Sequence, residues 1–315
     1  MKFLVAGGAG FLGSNLVRNL LAGGNEVVVL DNFVTGNKKF LESFESNNNL
    51  TTLTQDITEK ISSSHFKDVD YIFNFACPAS PPQYQRFPLR TLKTSLLGSI
   101  NLLDLAWELK VPYFLASTSE IYGDPQISPQ NEKYWGNVNP IGIRSCYDEG
   151  KRAAEALAMD YRRELGVDIK IVRIFNTFGP GMAIDDGRVM SNYIRNAIRN
   201  EPLQVFGDGS QTRSFCYVDD LIEGILKFAL ADKDVTGPIN LGNTVEITML
   251  ELAKEVIARV ESGSSIIFKD LPGDDPKQRM PDIRLAKSTL GWEPTTSYGD
   301  GINKMIEDFR KRVSI

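Results

Sequence analysis

Apolar and polar positions along the chain follow two periods, and the switches between them mark its elements. "KFLVAGG" at 2–8 is a short apolar run stopped by glycine, as in a buried strand entering a turn. "FLGSNLVRNLLAGG" has helical spacing, with Phe11, Leu12, Leu16, Leu20 and Leu21 on one side and Gly23-Gly24 as the stop. "EVVVLD" is continuous and β-branched, which suits a strand buried on both faces. A polar stretch at 35–50 follows. Then come strand-like "LTTLTQD" and "VDYIFNFAC", a helical segment near 87–109, "VPYFLAST", a helix over 147–165, and the strand "DIKIVRIFN". This alternation predicts an α/β fold built on a Rossmann-type, doubly wound parallel sheet.

The pattern changes near residue 180. Elements shorten, and glycine and proline punctuate them in "FGPG", "EPLQVFGDGSQ", "LPGDDP" and "GWEP". Residues 1–180 read as a dinucleotide-binding domain. Residues 181–315 read mainly as a smaller, mixed domain at the ends of the sheet strands. "SFCYVDDLIEGILKFAL" predicts a segment near 214–242 that returns to the first domain.

Composition narrows the function. Of 315 residues, 42% are hydrophobic and 24% charged, and the net charge is −5. That balance fits a folded core and argues against nonspecific binding to nucleic acid or membrane. The apolar runs are too short to span a bilayer, and the start lacks a basic region before a cleavable apolar one, so a soluble, cytoplasmic protein is expected. Cys77, Cys146 and Cys216 form no CxxC pair, so neither a disulfide framework nor a metal site is expected. The sole histidine, His65, lies in polar "ISSSHFKD", and nothing near it resembles a nucleophile elbow. Catalysis must do without histidine.

"GGAGFLGS" sets Gly7, Gly10 and Gly13 three apart between strand and helix, with Phe11 and Leu12 opening the helix. Small residues there permit a tight turn, close approach of backbone N–H groups to a pyrophosphate, and close helix–strand packing. Asp31 ends the next strand, 18 residues after Gly13. A carboxylate there binds a ribose diol and repels a 2′-phosphate, which favours NAD over NADP. Asp56 and Ile57, after the third strand, read either as residues flanking the adenine or as a plain loop.

In "SCYDEGK", Tyr147 and Lys151 stand four apart, on one face of a helix. Free tyrosine titrates near about 10, so it needs a nearby positive charge to act as a base at neutral pH. The pair suits removal of a proton from a sugar hydroxyl as hydride leaves the same carbon. Thr118, at the C-terminal end of the 113–118 strand, can hold that hydroxyl.

These residues resemble the extended short-chain dehydrogenases/reductases and, more narrowly, the UDP-glucuronate decarboxylases (UDP-xylose synthases). The resemblance covers nearly the whole chain. It is carried by "GGAGFLGS", "DNFVTG", "FACPASPP", "LASTSEIYGDP", "YWGNVNPIGIRSCYDEGKR", "RIFNTFGP", "DDGRVMSNYI", "FGDGSQTRSFCYV", "NLGN" and "DDPKQRMPDI". It implies oxidation of C4 of UDP-glucuronate by tightly held NAD, loss of CO2 from C5, reprotonation, and reduction to UDP-xylose. It makes Tyr147 the C4 base, Lys151 its support and ribose contact, and Thr118 the third member. Ser119 and Glu120 match the decarboxylase pair, with Glu120 assisting CO2 loss. The C5 proton donor stays open among Tyr147, Glu120 and water.

Arg213 matches an active-site arginine that grips carboxylate or diphosphate. Asn176 matches a diphosphate contact, and Arg279 a phosphate or ribose contact. Arg188 and Val189 fall on the substrate side, and Phe206 lies near the uracil or in the core. Asn32, Lys93, and Ala76, Pro78 and Ala79 of the 76–79 segment are expected around NAD, with Cys77 a wall residue. Two departures stand out: Ser95 where many relatives carry asparagine, and Gly181 where close relatives often carry arginine. The first puts a polar contact near the cofactor in doubt, the second the local loop order and a subunit contact. The family's dimer joins the 87–109 and 147–165 helices in a four-helix bundle. Alternatives on the same scaffold are a 4-epimerase, a 4,6-dehydratase or a UDP-apiose/xylose synthase; a non-catalytic NAD sensor is the alternative of another class.

Overall fold

The computed structural model describes residues 1–270 and 278–313; "LPGDDP" at 271–276 and positions 274–277 of "DDPKQRMPDI" lie outside the described residues. The first half runs β1 (Lys2–Ala6), α1 (Phe11–Ala22), β2 (Glu26–Asp31), β3 (Leu50–Thr54), β4 (Tyr71–Asn74), α2 (Pro81–Arg86), α3 (Pro88–Lys93), α4 (Ser99–Leu109), β5 (Tyr113–Thr118), α5 (Ser145–Leu165) and β6 (Ile169–Ile174). The second half runs β7 (Thr177–Phe178), α6 (Val189–Ile198), β8 (Leu203–Phe206), β9 (Thr212–Ser214), β10 (Cys216–Tyr217), α7 (Val218–Ala229), β11 (Ile239–Leu241), β12 (Glu246–Thr248), α8 (Met249–Val260), β13 (Ile266–Lys269), β14 (Gln278–Arg279), α9 (Arg284–Leu290) and α10 (Tyr298–Arg312).

Seven parallel strands form the main sheet in the order β11-β6-β5-β4-β1-β2-β3. Strand residues alternate between two cores, because helices cover both faces. Phe3 and Val5 of β1 pack with Leu16 and Leu20 of α1 and Ile222 of α7, while Leu4 and Ala6 pack with Leu102 of α4 and Ala154 of α5. The edge strand β3, "LTTLT", is mostly exposed, which explains its threonines. Chain order reverses between β1 and β4, so a crevice opens at the C-terminal ends of these strands.

β11 comes from late in the chain yet closes the sheet beside β6, and α7 packs on α1. Beyond the strand ends lie a parallel β8–β13 pair and a three-stranded β12-β9-β14 sheet, with α6, α8 and α10 packed near them. The helical segment at 88–109 is not uniform. A five-residue π turn, Thr94–Gly98, joins α3 to α4. It sets Gly98 against Ile57, where a Cβ would stand 2.3 Å from Cδ1. Periodicity alone does not reveal such a turn. Among the described residues, no helix is long and apolar enough to cross a membrane.

Candidate active site

A cavity of about 670 Å³ opens over the strand ends. A narrower branch of about 70 Å³ runs from it toward Asp31. Gly7 and Gly10 line both, and Phe11, Leu12 and Gly13 line the larger. Gly7 has φ +78°, and a Cβ on it would lie 2.7 Å from the Ala76 backbone nitrogen. A Cβ on Gly13 would lie 2.1 Å from Gly7 O, so the third glycine lets helix and turn touch. Gly10 caps α1 with no side-chain hydrogen bond, and the first turn carries no acid. Its N-terminal N–H groups and dipole therefore suit a diphosphate.

In the branch, the Asp31 carboxylate accepts hydrogen bonds from the Ala9 N–H at 3.0 Å and the Phe33 N–H at 2.8 Å. Burial pushes its carboxyl up, against those two bonds. Asn32 lines the branch and donates from Nδ2 to Asp56 at 2.9 Å, which places Asp56 behind Asn32 and off the lining. Burial would raise Asp56, but the Thr58 and Asn32 hydrogen bonds prevail and lower it. Ile57, Ala76 and Pro78 line the branch, and Ala79 the main cavity. The donor set, a glycine cradle followed by a diol-sized acid, fits NAD. Lys93 is exposed and lies off both linings, with α3 turning Arg90 and the following Thr94 toward the branch.

The Thr118 side chain lies close enough to the Tyr147 phenol to pull its pKa down. Tyr147 is buried, and its ring stacks on Tyr84 of α2, with centroids 5.1 Å apart and planes 3° apart. Burial pushes the phenol up, as do the thiol of Cys77 and the charge of Glu120; Thr118 and Arg188 act the other way. Lys151, one turn on, donates to the Ala116 carbonyl at 2.8 Å, and its burial pulls it below the ordinary lysine value. In this state Lys151 lines the same wall as Tyr147 but is tied to the β5 backbone.

Glu120 follows Thr118 in a single 3-10 turn (Ser119–Tyr122), whose Thr118 cap accepts from the Glu120 N–H at 3.2 Å. Its carboxylate is paired with both Arg144 and Arg279. Burial alone would raise its pKa, but the two guanidiniums overcome that and lower it to about 2. Arg279, expected at the nucleotide phosphate or ribose, lines the main cavity; it is 2% exposed and donates to Ser119 Oγ at 3.3 Å and Gly123 O at 3.1 Å besides Glu120. Its backbone pairing with Arg213 on β9 carries it inward to the Glu120 carboxylate.

Arg213, Asn176, Arg188, Val189, Phe206 and Ser119 all line the main cavity. Arg213 donates to Thr212 O at 2.8 Å, and Arg188 to Asp186 at 2.9 Å. Phe206 is 41% exposed, which decides against a core position. Cys77 is a wall residue whose thiol is raised by burial and lies 3.3 Å from Ser95 Oγ; Ser95 thus meets Cys77. Gly181 has φ +83° and donates its N–H to Asp308 at 3.2 Å. Three neighbours of the site escaped the sequence reading. Arg144 stood inside a quoted motif three residues before Tyr147, Asp148 stood beside the tyrosine, and Tyr84 had no signal at all. Among the described residues no cluster of three or more metal-ligating side chains occurs.

The model of the NAD dependent epimerase/dehydratase family matches residues 3–242. UDP-glucuronic acid decarboxylase 1 of Arabidopsis thaliana is 51% identical over 99% of this chain and 71% of its own. Among solved structures, a UDP-glucose 4-epimerase of Thermotoga maritima superposes with a TM-score of 0.89 at 28% identity, over 99% of each chain. A Bacillus cereus UDP-glucuronic acid 4-epimerase, in complex with UDP-glucuronic acid and NAD, gives 0.88 at 27%, over 99% of each chain. The acid between two arginines, next to the tyrosine–threonine pair, agrees with these likenesses: the chain belongs to the NAD-dependent epimerase/dehydratase family and, within it, to the UDP-glucuronic acid decarboxylases.

Proposed function

We propose that the chain converts UDP-glucuronate to UDP-xylose and CO2 with NAD regenerated at each turnover. The observation that carries this reading is Glu120, held ionised by Arg144 and Arg279 in the cavity that also holds Tyr147, Lys151 and Thr118. NAD+, held by the glycine turn and Asp31, would supply a cationic hydride acceptor and donor for C4. Thr118 holds the C4 hydroxyl, and Tyr147 takes its proton and later gives it back. Lys151, tied to the Ala116 carbonyl here, would hold the nicotinamide ribose. Arg213 and Arg188 grip the anionic groups of the substrate, with Asn176 on the diphosphate and Phe206 beside the uracil. Ser119 orients the sugar. The fixed charge of Glu120 faces the C5 carboxylate and favours its departure as neutral CO2.

Residues 1–180 with 214–242 hold the cofactor, and the rest of 181–315 holds the UDP-sugar. Two copies pair through the α4 and α5 region as a four-helix bundle; exposed Leu97, Trp107 and Leu165 support this, and light scattering of the purified protein tests it. The free cysteines suit a reducing, cytoplasmic setting.

The decisive experiment incubates the protein with UDP-glucuronate and NAD+ in D2O and follows the sugar by proton NMR. UDP-xylose with one deuterium at C5 is expected. UDP-galacturonate with its carboxylate intact would make the chain a 4-epimerase, the activity named for its B. cereus neighbour.

A further inference from the structure

Decarboxylation needs a proton that the residues above do not supply. The C5–carboxylate bond breaks, its electron pair stays with C5 as the enolate, and one proton from outside must end on C5. Tyr147 is not the net source, because the proton it takes from the C4 hydroxyl returns there. Glu120 is not the source either, because two guanidiniums hold it as a carboxylate.

Two buried polar atoms without partners lie behind that carboxylate. Asp148 follows Tyr147 in the first turn of α5; it is 6% exposed, and its Oδ1 has no hydrogen-bond partner. Tyr84, from α2, is 1% exposed, and its hydroxyl has none either. Seven such atoms occur among the described residues; those of Asp148 and Tyr84 are the two in side chains whose titration the Glu120 charge shifts, which points to work done there. Tyr84 lines the cavity, stacks on Tyr147 and lies beneath the Arg144 guanidinium, 6.0 Å from its ring centre. α2 packs directly on α5.

The charged and titratable groups around Asp148 are Arg144, Cys146 and Glu149 in and beside the start of α5, Tyr84 from α2, Glu120 from the turn after β5, and Arg279 from β14. Burial and then the Glu120 charge push the Asp148 carboxyl up to about 7, against the two arginines. Near neutral pH it is therefore divided between acid and carboxylate, whereas Glu120 is wholly ionised.

We infer that Asp148 is a proton-holding residue that acts through the Tyr84 hydroxyl to supply the proton that ends on C5. The inference rests on the decarboxylase reading. Asp148 and Tyr84 are not hydrogen-bonded to each other, so the transfer runs through a water between them. Tyr84 gives its hydroxyl proton to C5, the bridging water gives one proton to the Tyr84 oxygen and takes one from the Asp148 carboxylic acid, and bulk water reprotonates Asp148. One proton passes from water to C5, and the only electrons moved are the pair left by CO2.

The test measures UDP-xylose formation by the full chain, with NAD and UDP-glucuronate, from about pH 5.5 to about pH 8.5. Wild-type kcat should fall as pH rises through about 7, because the store empties. Asp148→Asn should lower kcat about 100-fold, the scale of general acid catalysis, with KM within about twofold and that alkaline limb gone. Tyr84→Phe keeps the ring stack, lacks only the hydroxyl, and should lose the same limb; it decides the matter alone if Asp148→Asn does not fold. Asp148→Glu should restore part of the rate together with the limb. A limb that survives in Asp148→Asn and Tyr84→Phe, whether or not their rates drop, overturns the inference while CO2 release by the wild type upholds the activity. A wild-type protein that releases no CO2 overturns both.

Discussion

Asp31 and Glu120 are two carboxylates at the C-terminal ends of strands of one sheet, at opposite ends of one connected cavity. Both are largely buried, yet their surroundings differ in kind. Asp31 meets two neutral backbone N–H groups and is pushed up by burial. Glu120 meets two guanidiniums and is lowered to about 2. Dipoles fix the position of a carboxylate and leave it free to accept from a further hydroxyl; full charges fix its ionisation. The first arrangement suits recognition of a cofactor diol, the second a charge that must persist while a neighbouring carboxylate leaves.

The sharpest way to break the comparison is Glu120→Gln. The shape stays and the charge goes, so Arg144 and Arg279 lose their shared counter-ion in a buried place. We expect kcat to fall by at least about 100-fold. Stability should drop by about 3–5 kcal/mol, the usual cost of breaking a buried pair. A CO2-release assay and a denaturant titration measure both. A variant with wild-type kcat would remove Glu120 from the chemistry.

The matching change at the other end, Asp31→Asn, should act on binding alone. It keeps an acceptor for one backbone N–H but loses the charge a ribose diol prefers. NAD should bind roughly tenfold more weakly, about the value of one good charged hydrogen bond, while kcat at saturating NAD stays within about twofold. Calorimetry gives the first and steady-state rates the second. A fall in kcat at saturation would mean that the two ends are not separable.

That separation explains what the sequence made legible. The glycine spacing, the strand-end acid and the Tyr147–Lys151 pair are local patterns, set by one turn or one helix, and the structure places all of them on the cavity wall or its branch. The sheet was legible for a related reason: β1 and β2 are nearly continuous apolar runs, and β6 keeps its apolar pattern although it buries Lys170 and Arg173. What escaped is what tertiary structure assembles. Arg279 reaches Glu120 from 159 positions away because β14 pairs with β9. Tyr84 meets Tyr147 only because α2 packs on α5. The π turn at Thr94–Gly98 interrupts no apolar stripe, so Lys93 and Arg90 could not be told apart by period.

The comparison sharpens again when pH is varied without substrate. Glu120 has a folded pKa of about 2 against 4.5 ordinarily, so the stability it lends is present above about 4.5 and is lost as pH falls through about 2. Asp148 has the opposite sign. Its folded value of about 7 stands above the ordinary 3.8, so its contribution is present below about 3.8 and is lost as pH rises through about 7. Asp148→Asn should therefore gain thermal stability relative to wild type between pH 5 and pH 8, by several degrees at roughly 2–4 °C per kcal/mol. The deficit of Glu120→Gln should shrink toward pH 2. Calorimetric melts across pH read both, and parallel curves for Asp148→Asn and wild type would show that its carboxyl is not raised.

The smallest expected effect lies at the Asp31 end and concerns which basic residue serves the cofactor branch. Arg90 lines that branch, and its charge helps to lower Asp56; Lys93, on the same helix, is exposed and away from the lining. Arg90 is itself exposed, so its attraction for an anionic cofactor acts through water and is modest. Arg90→Ala should weaken NAD binding by about two- to fivefold, the range of an exposed ion pair, and Lys93→Ala should leave it within error. Because exposed charges are screened over about 3 Å at 1 M salt, the gap between the two variants should close there. The Glu120 pairings, being buried, should keep their effect in the same salt, so ionic strength alone separates the two ends of the cavity. A loss on Lys93→Ala equal to that on Arg90→Ala would restore Lys93 to the cofactor site and require α3 to turn on NAD binding.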